Sequence, residues 1–238
     1  MKMTTLSSGS HGNGYLIHND AECLIIECAV DIKQVMKAID FKVEIVSGCI
    51  ATHAHLDHSG KIQQYAQKGI KVYSHKDTFR GFKHHNFVEV DTQRNFQVGN
   101  FKIRAFEVEH DVKNYGYLID HPETGRFCFI TDATTAPFQF PNLNHILIEA
   151  NYDKEIIDTN DTSYFVRDRV VNSHLSFDSC LEFLSLQNIE NVNNIVLLHA
   201  SDSNSDILTF RDKVESMYGI NTLIAEKGLE IDLNLEPF

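Results

Sequence analysis

The chain has 238 residues, 42% of them hydrophobic, with 21 Lys and Arg against 33 Asp and Glu for a formal net charge of −12. That length fits one large domain or two small ones, with apolar residues enough for a proper core, and no apolar run reaches the length of a membrane helix. So acidic a chain argues against broad adhesion to nucleic acid, which relies on Lys and Arg neutralising phosphates, and favours a small or locally gripped substrate. A phosphate substrate stays open, since bound divalent cations dominate their local field. Five cysteines (Cys23, Cys28, Cys49, Cys128 and Cys180) form no C-x-x-C pair. Most lie in apolar runs, where a buried free thiol is the expectation. The stretch Met1–Gly9 lacks the apolar core of a signal peptide, so a cytoplasmic location is expected.

Short strands are expected at Thr5–Ser8, Tyr15–His18 and Cys23–Ala29, broken by turn residues at His11-Gly12-Asn13-Gly14 and Asn19-Asp20. Asp31 is a plausible cap for a helix over Asp31–Asp40, which gathers Ile32, Val35, Met36 and Ile39 on one face. Val43–Ile50 reads as an apolar strand, and the sequence from Ser59 to Gly69 as a helix. Another strand is expected at Ile70–Ser74. Lys76, Arg80, Lys83, His84 and His85, interleaved with Phe79 and Phe82, make the one locally basic and aromatic patch; it reads either as a phosphate and base contact or as a solvated surface helix. Alternation from Phe87 to Thr131 predicts strands, including a hairpin turning at Gly99-Asn100 and the pair Tyr115–Asp120 and Arg126–Asp132. Ile146–Asn151 and Ile195–His199 are further strands. Thr162–Asn172, Ser176–Leu186 (capped by Ser176) and Ser205–Tyr218 are helical, and Thr222–Ala225 and Leu229–Leu233 close a single domain over 1–238. We find no repeat, low-complexity segment or linker.

Between the Val43–Ile50 strand and the helix that follows lies Thr52-His53-Ala54-His55-Leu56-Asp57-His58-Ser59. Two imidazoles two residues apart, then an adjacent carboxylate and imidazole, can address two neighbouring metal ions. Imidazole and carboxylate suit zinc, at roughly 2.0–2.2 Å, but imidazole also suits iron and nickel and carboxylate suits manganese. The alternative is a solvated histidine-rich turn. His110, Asp132 and His199 also follow apolar runs, as residues of a shared site at clustered strand ends would; alone, each reads equally as a cap or turn residue.

The His53–His58 pattern resembles the signature of the metallo-β-lactamase superfamily, and His110, Asp132 and His199 follow in the order of that superfamily's later motifs. The resemblance implies an α/β fold, a four-layer αββα sandwich with a dinuclear site at one edge. It implies one metal on His53, His55 and His110, a second on Asp57, His58 and His199, and Asp132 bridging them. Zinc is the expected metal, with manganese the other choice, and a hydroxide between the ions is the implied nucleophile. Ser7–Asn13, with its Ser-Gly-Ser-x-Gly-Asn order, resembles the opening of the YycJ-type branch, a nuclease-like group related to ribonuclease Z, whose loop lies near the metals. Glu149-Ala150-Asn151-Tyr152-Asp153 resembles that branch too, with Tyr152 in place of its histidine, and Leu56 and Asn114-Tyr115 depart from it. His174 stands where these proteins carry a histidine that contacts phosphate and protonates the leaving oxygen. Asp57 and His174 are thus the implied catalytic residues, and His11 is the remaining histidine whose loop could reach the site.

The expected activity is metal-dependent phosphodiester hydrolysis, nuclease or exonuclease in kind, on a single-stranded nucleic-acid end or a small nucleotide. The alternatives are a small-molecule cyclic phosphodiesterase, a lactamase or thioesterase acting on a carbonyl, and a binding module without catalysis. No membrane partner is expected. Relatives of the branch often form dimers, so a homodimer is an open expectation.

Overall fold

The computed structural model describes residues 1–236; residues 237 and 238, within the expected domain 1–238, lie outside the described residues. The first half contains β1 (Lys2–Ser7), β2 (Gly14–His18), β3 (Cys23–Ile26), helix α1 (Ile32–Ala38), β4 (Val46–Ile50), the short helices α2 (Leu56–Ser59) and α3 (Ile62–Gln67), β5 (Val72–Ser74) and β6 (Phe87–Glu89). The second half holds β7 (Asn95–Val98), β8 (Phe101–Val108), β9 (Asn114–His121), β10 (Gly125–Ile130), β11 (His145–Glu149), α4 (Lys154–Thr159), α5 (Tyr164–Ser173), α6 (Phe177–Leu186), β12 (Asn194–Leu198), α7 (Ile207–Tyr218), β13 (Asn221–Ile224) and β14 (Glu230–Asp232).

Two seven-stranded sheets result, in the orders β14-β1-β2-β3-β4-β5-β6 and β13-β12-β11-β10-β9-β8-β7. From β3 to β6 and from β10 to β13 neighbours run parallel. A parallel neighbour needs a crossover connection, mostly helical here. Strands covered on both faces read as continuous apolar runs, and β3, β11 and β12 are buried at every residue. The central core, with Tyr15, Ile26, Phe101, Tyr117 and Leu198, fills the space between the sheets. On the outer faces, α1 and α3 cover the first sheet through Ile32, Val35 and Tyr65. Helices α6 and α7 cover the second through Phe183 and Phe210. This is the expected αββα sandwich.

The caps are as the sequence implies: Asp31 accepts from the Lys33 amide at α1, and Ser176 from the Ser179 amide at α6. Three readings need correction. Val43–Ile45 is a 3-10 turn rather than strand. The helix expected from Ser59 is two short pieces starting at Leu56, and α4, capped by Asp153, had no counterpart in the reading. All five cysteines are free and buried, and burial pushes the thiols of Cys23 and Cys128 up to about 12. Among the described residues no helix is long and apolar enough to cross a membrane.

His145 on β11 is fully buried, and the Asn194 side-chain amide donates to its Nδ1 at 3.1 Å. Burial lowers its pKa to about 4. The unfolded chain takes up this proton near pH 6.5 and the folded chain only near 4, so the contribution is complete above 6.5 and lost as pH falls through that window. We expect up to about 3 kcal/mol of acid-dependent destabilisation from this group. Urea unfolding of wild type and His145→Leu at pH 7 and pH 4.5 checks it; the variant should show the smaller drop between the two.

Candidate metal centre

Five parallel strands place their carboxyl ends at one edge of the sandwich, where ligand crevices form in such sheets. Glu27 follows β3, His53 follows β4, Asp132 follows β10, Glu149 ends β11 and His199 follows β12. His110 follows β8, which lies antiparallel to β9 and so points the same way as β10. His55 stands at the N-cap position of α2, and Asp57 and His58 lie in its single turn. The seven residues His53, His55, Asp57, His58, His110, Asp132 and His199 thus meet in one place.

Three of the strand-end residues take left-handed backbone conformations despite carrying side chains: Glu27 (φ 67°), Asp132 (φ 52°) and His199 (φ 52°). Such conformations cost on the order of 1–3 kcal/mol each and cluster where function requires them. Buried asparagines hold two of them in place. The Asn114 amide donates to the carbonyls of Thr131 and Asp132 at 3.0 and 2.6 Å, and the Asn151 amide to that of His199 at 2.6 Å.

The donor atoms fall into overlapping groups whose members lie within 4.8 Å of one another: His53, His55, His110 and Asp132; Asp57, His58, Asp132 and His199; and Asp132, Glu149, His174 and His199. Asp132 is common to all three. Its Oδ2 lies 3.8 Å from His53 Nε2 and 3.9 Å from His110 Nε2, while its Oδ1 lies 3.3 Å from His58 Nε2. Asp57 Oδ2 approaches His58 Nε2 at 3.7 Å and His199 Nε2 at 3.6 Å.

Two observations show that these residues suit divalent cations. His53 Nε2 and His199 Nε2 are buried without any hydrogen-bond partner, yet both face carboxylates across distances too long for a hydrogen bond. The charge is also unbalanced: Glu27, Asp57, Asp111, Asp132 and Glu149 put five carboxylates among the imidazoles. The protein answers this field with protons. Burial opposes charge on His58, but Asp132 and Glu27 outweigh it and hold the imidazole well above its usual range. His199 is likewise raised to about 10, against burial, by Asp132, Asp57 and Glu149. Burial would raise the Asp132 carboxyl, but His199 and His58 hold it well below the usual carboxylate range. His53, whose burial and nearness to His58 dominate, is held well below the ordinary imidazole value. Two dications would offset four of the five carboxylates.

A ring of further residues orients the donors, and most were not singled out from the sequence. Glu27 is fully buried; it accepts from Thr52 Oγ1 at 2.5 Å and pairs with His58 Nδ1 at 3.2 Å. Thr52 Oγ1 in turn contacts His53 Nδ1 at 2.9 Å. Carboxylate-to-imidazole contacts of this kind fix ring orientation and tautomer. Asp111 reaches His55 Nε2 and His110 Nε2 at 3.3 and 3.1 Å. The signal for Glu27 was present, a lone acid closing the apolar run Cys23–Ile26.

The Ser7–Asn13 loop does reach the site, through Asn13 rather than His11, which is exposed. The Asn13 amide donates to the Asp57 carbonyl and lies 3.1 Å from His58 Nε2, and Ser8 Oγ accepts from the His199 amide at 3.0 Å. His174, just past α5, sits at the rim with Nδ1 2.8 Å from Glu149 Oε1 and 3.8 Å from Asp132 Oδ2. Tyr152 is buried with Ile157 and Val170 as packing, and Leu56 is 72% exposed. The basic patch is split: Lys76, Phe82, Lys83 and His85 are exposed, as on a solvated surface. Arg80 turns inward and donates to the carbonyls of Ala54 and Ser59 at 3.4 and 2.8 Å, bracing the histidine-rich turn, while Phe79 is buried against Phe87.

Residues 24–199 match the beta-lactamase superfamily domain. The chain belongs to this superfamily. Its curated relatives include the exodeoxyribonuclease WalJ of Streptococcus pneumoniae, 24% identical over 86% of this chain and 83% of that protein. The exodeoxyribonuclease YycJ of Bacillus anthracis is 21% identical over 97% of this chain and 92% of that protein. Among solved structures, the metallo-beta-lactamase fold protein YhfI of Bacillus subtilis superposes with a TM-score of 0.73 at 16% identity, covering 97% and 98% of the two chains. This superfamily member is therefore YycJ-like, as the motifs implied.

Removing Glu27 should expose how much the site costs to hold together. Glu27→Ala leaves Thr52 and His58 without their buried partner and should destabilise the fold by about 3 kcal/mol. Glu27→Gln, which keeps an acceptor for Thr52, should lose distinctly less. Urea midpoints of both variants decide it, and equal, negligible losses would contradict the role.

Proposed function

We propose that this metal-dependent hydrolase cleaves phosphodiesters, acting as an exonuclease-like enzyme on a nucleic-acid end. The observation that carries the reading is His174, a hydrogen-bonded imidazole at the rim of a cation-demanding pocket. Burial opposes its protonation, but Glu149 outweighs burial and raises its pKa. A protonated imidazole at near-neutral pH is what a departing alkoxide needs, since that leaving group is poor unless protonated. The exodeoxyribonuclease relatives WalJ and YycJ support the same choice of substrate class.

In this proposal His53, His55 and His110 would hold one ion and Asp57, His58 and His199 the other, with Asp132, common to both groups, available to each. Zinc suits this imidazole and carboxylate set, with manganese the alternative. When bound, the pair supplies Lewis acidity toward phosphoryl oxygens and lowers the pKa of water. The chain's own groups do the rest. Asp57, partly exposed and held ionised by His199 and His58 against the pull of burial, accepts a hydrogen bond from the attacking water and orients it. Glu149 Oε1 holds His174 Nδ1, so the opposite nitrogen delivers its proton to the leaving oxygen. Glu149 also accepts from the amides of Ala133 and Leu175 at 3.2 and 3.0 Å, which fixes the His174 approach.

The net charge of −12 favours a second reading, a small-molecule phosphodiesterase acting on a cyclic nucleotide. The two separate by length: a nuclease prefers oligomers, whereas the small-molecule enzyme cleaves a mononucleotide diester equally well. Metal-loaded protein should hydrolyse bis(p-nitrophenyl) phosphate and five-prime-labelled oligonucleotides, and leave a lactam and a thioester largely intact. His174→Ala should lower kcat on oligonucleotides by about 10²–10⁴ with metal content unchanged. Turnover of the carbonyl substrates, unaffected by His174→Ala, would overturn the phosphodiesterase reading.

A further inference from the structure

Helices α6 and α7 pack on the outer face of the second sheet through Phe183 and Phe210, whereas Phe106 of β8 is met by the arm that carries Phe138 and Phe140. Along that face runs a trough of about 610 Å³, lined by Asn95, Lys102, Arg104, Phe106 and Asp120 and, opposite them, Phe138 and Phe140. We propose that this trough is the track for a single-stranded nucleic acid leaving the metal centre; the inference rests on the nuclease reading above.

Both walls of the trough lead to the cluster. Its floor strand β8 runs on to His110, and its far wall is the arm that begins at Asp132 and carries Phe138 and Phe140. The two walls are tied where they leave the site, by the Thr134 amide donating to the Glu109 carbonyl at 2.9 Å. Farther out the arm is preformed: Gln187, just past the end of α6, accepts from the Phe140 amide at 3.0 Å and donates to the Phe138 carbonyl at 2.7 Å. Six residues of extended chain separate Arg104 from His110, roughly 20 Å, enough for a few nucleotides.

The trough offers both kinds of group that a single strand requires, cations for the phosphates and rings for the bases. Arg126 is spent on Asp120 at 2.8 Å, and Glu107 is occupied by Lys113. Lys102 and Arg104 are exposed and pair with no carboxylate among the described residues. Both cations line the same trough as a cluster of aromatic rings. Phe106, Phe138 and Phe140 form a contiguous ring cluster, with centroids 4.8, 4.9 and 5.9 Å apart, and all three are partly open to solvent. Gly116 makes room for it: a Cβ there would meet the Phe106 ring at 2.4 Å. A grip confined to this strip reconciles an acidic protein with a polyanionic substrate.

The test is fluorescence anisotropy with metal-loaded full-length protein and phosphorothioate-linked single strands of about ten nucleotides, DNA and RNA, across a salt series. The Lys102→Gln/Arg104→Gln variant should bind more weakly, and the slope of log affinity against log salt should fall by roughly 1.4, the value for two lost phosphate contacts. Phe138→Ala should weaken binding by about tenfold with the slope unchanged. Hydrolysis of bis(p-nitrophenyl) phosphate, too short to reach the trough residues from the metal centre, should be the same in all variants, which also verifies folding. Wild-type binding with an unaltered affinity and slope in the double variant would overturn the trough and leave the nuclease reading standing. No oligonucleotide binding or cleavage by wild type would overturn both. A change of sedimenting mass in the double variant would make the face a contact between copies and overturn the proposal.

Discussion

The site depends on one electrostatic constraint: five carboxylates and six imidazoles share one edge of the sandwich, and Glu27, Glu149 and Asp132 are almost wholly withdrawn from water. Isolated buried carboxylates are costly unless paired. Here they are paired with imidazoles that they themselves keep protonated, His58 and His199 above all. Such a site is held together by positive charge, and bound dications can take the place of those protons because metal ligands must give theirs up. The asparagines, Thr52 and the Ser8–Asn13 loop then set the angles at which the donors meet.

The fold serves that constraint by stacking two sheets whose strands point the same way at one edge. The central strands β3, β11 and β12 are buried along their whole length and mostly apolar, so most of the chemistry-bearing groups stand where the chain leaves the sheet. Left-handed turns at Glu27, Asp132 and His199 swing those side chains back over the strand ends. The cost of three such conformations is offset by the asparagine hydrogen bonds and by packing on either side. On the outer face of the second sheet, Phe106 of β8 is met by the arm that carries Phe138 and Phe140, and the trough lies there.

Much of this was legible in the sequence because it repeats one pattern, an apolar run ending on a histidine or an acid. His53, His110, Asp132 and His199 all carry that signal, and the fold brings them together. Glu27 carries it too, but a single acid among many strand ends has no spacing to mark it. Asn13 and Asn151 stand inside motifs visible in the sequence, but the carbonyls they hold, of Asp57 and His199, come close only by tertiary folding, as do those of Thr131 and Asp132 held by Asn114. Arg80 follows neither reading of its patch, ligand contact or solvated surface helix: its partners are the carbonyls of Ala54 and Ser59, which no sequence window pairs with it. Val43–Ile45 alternates like a strand, but only Ile45 is buried among its three residues, and the segment closes as a tight turn before β4 starts.

The most direct test of a two-cation centre that shares Asp132 is metal stoichiometry, by native mass spectrometry and elemental analysis after loading with zinc and extensive dialysis. Two ions per chain in the wild type, falling below one in Asp132→Ala while the fold is retained, is the predicted result. No retained metal, or two ions that persist unchanged in Asp132→Ala, would contradict it.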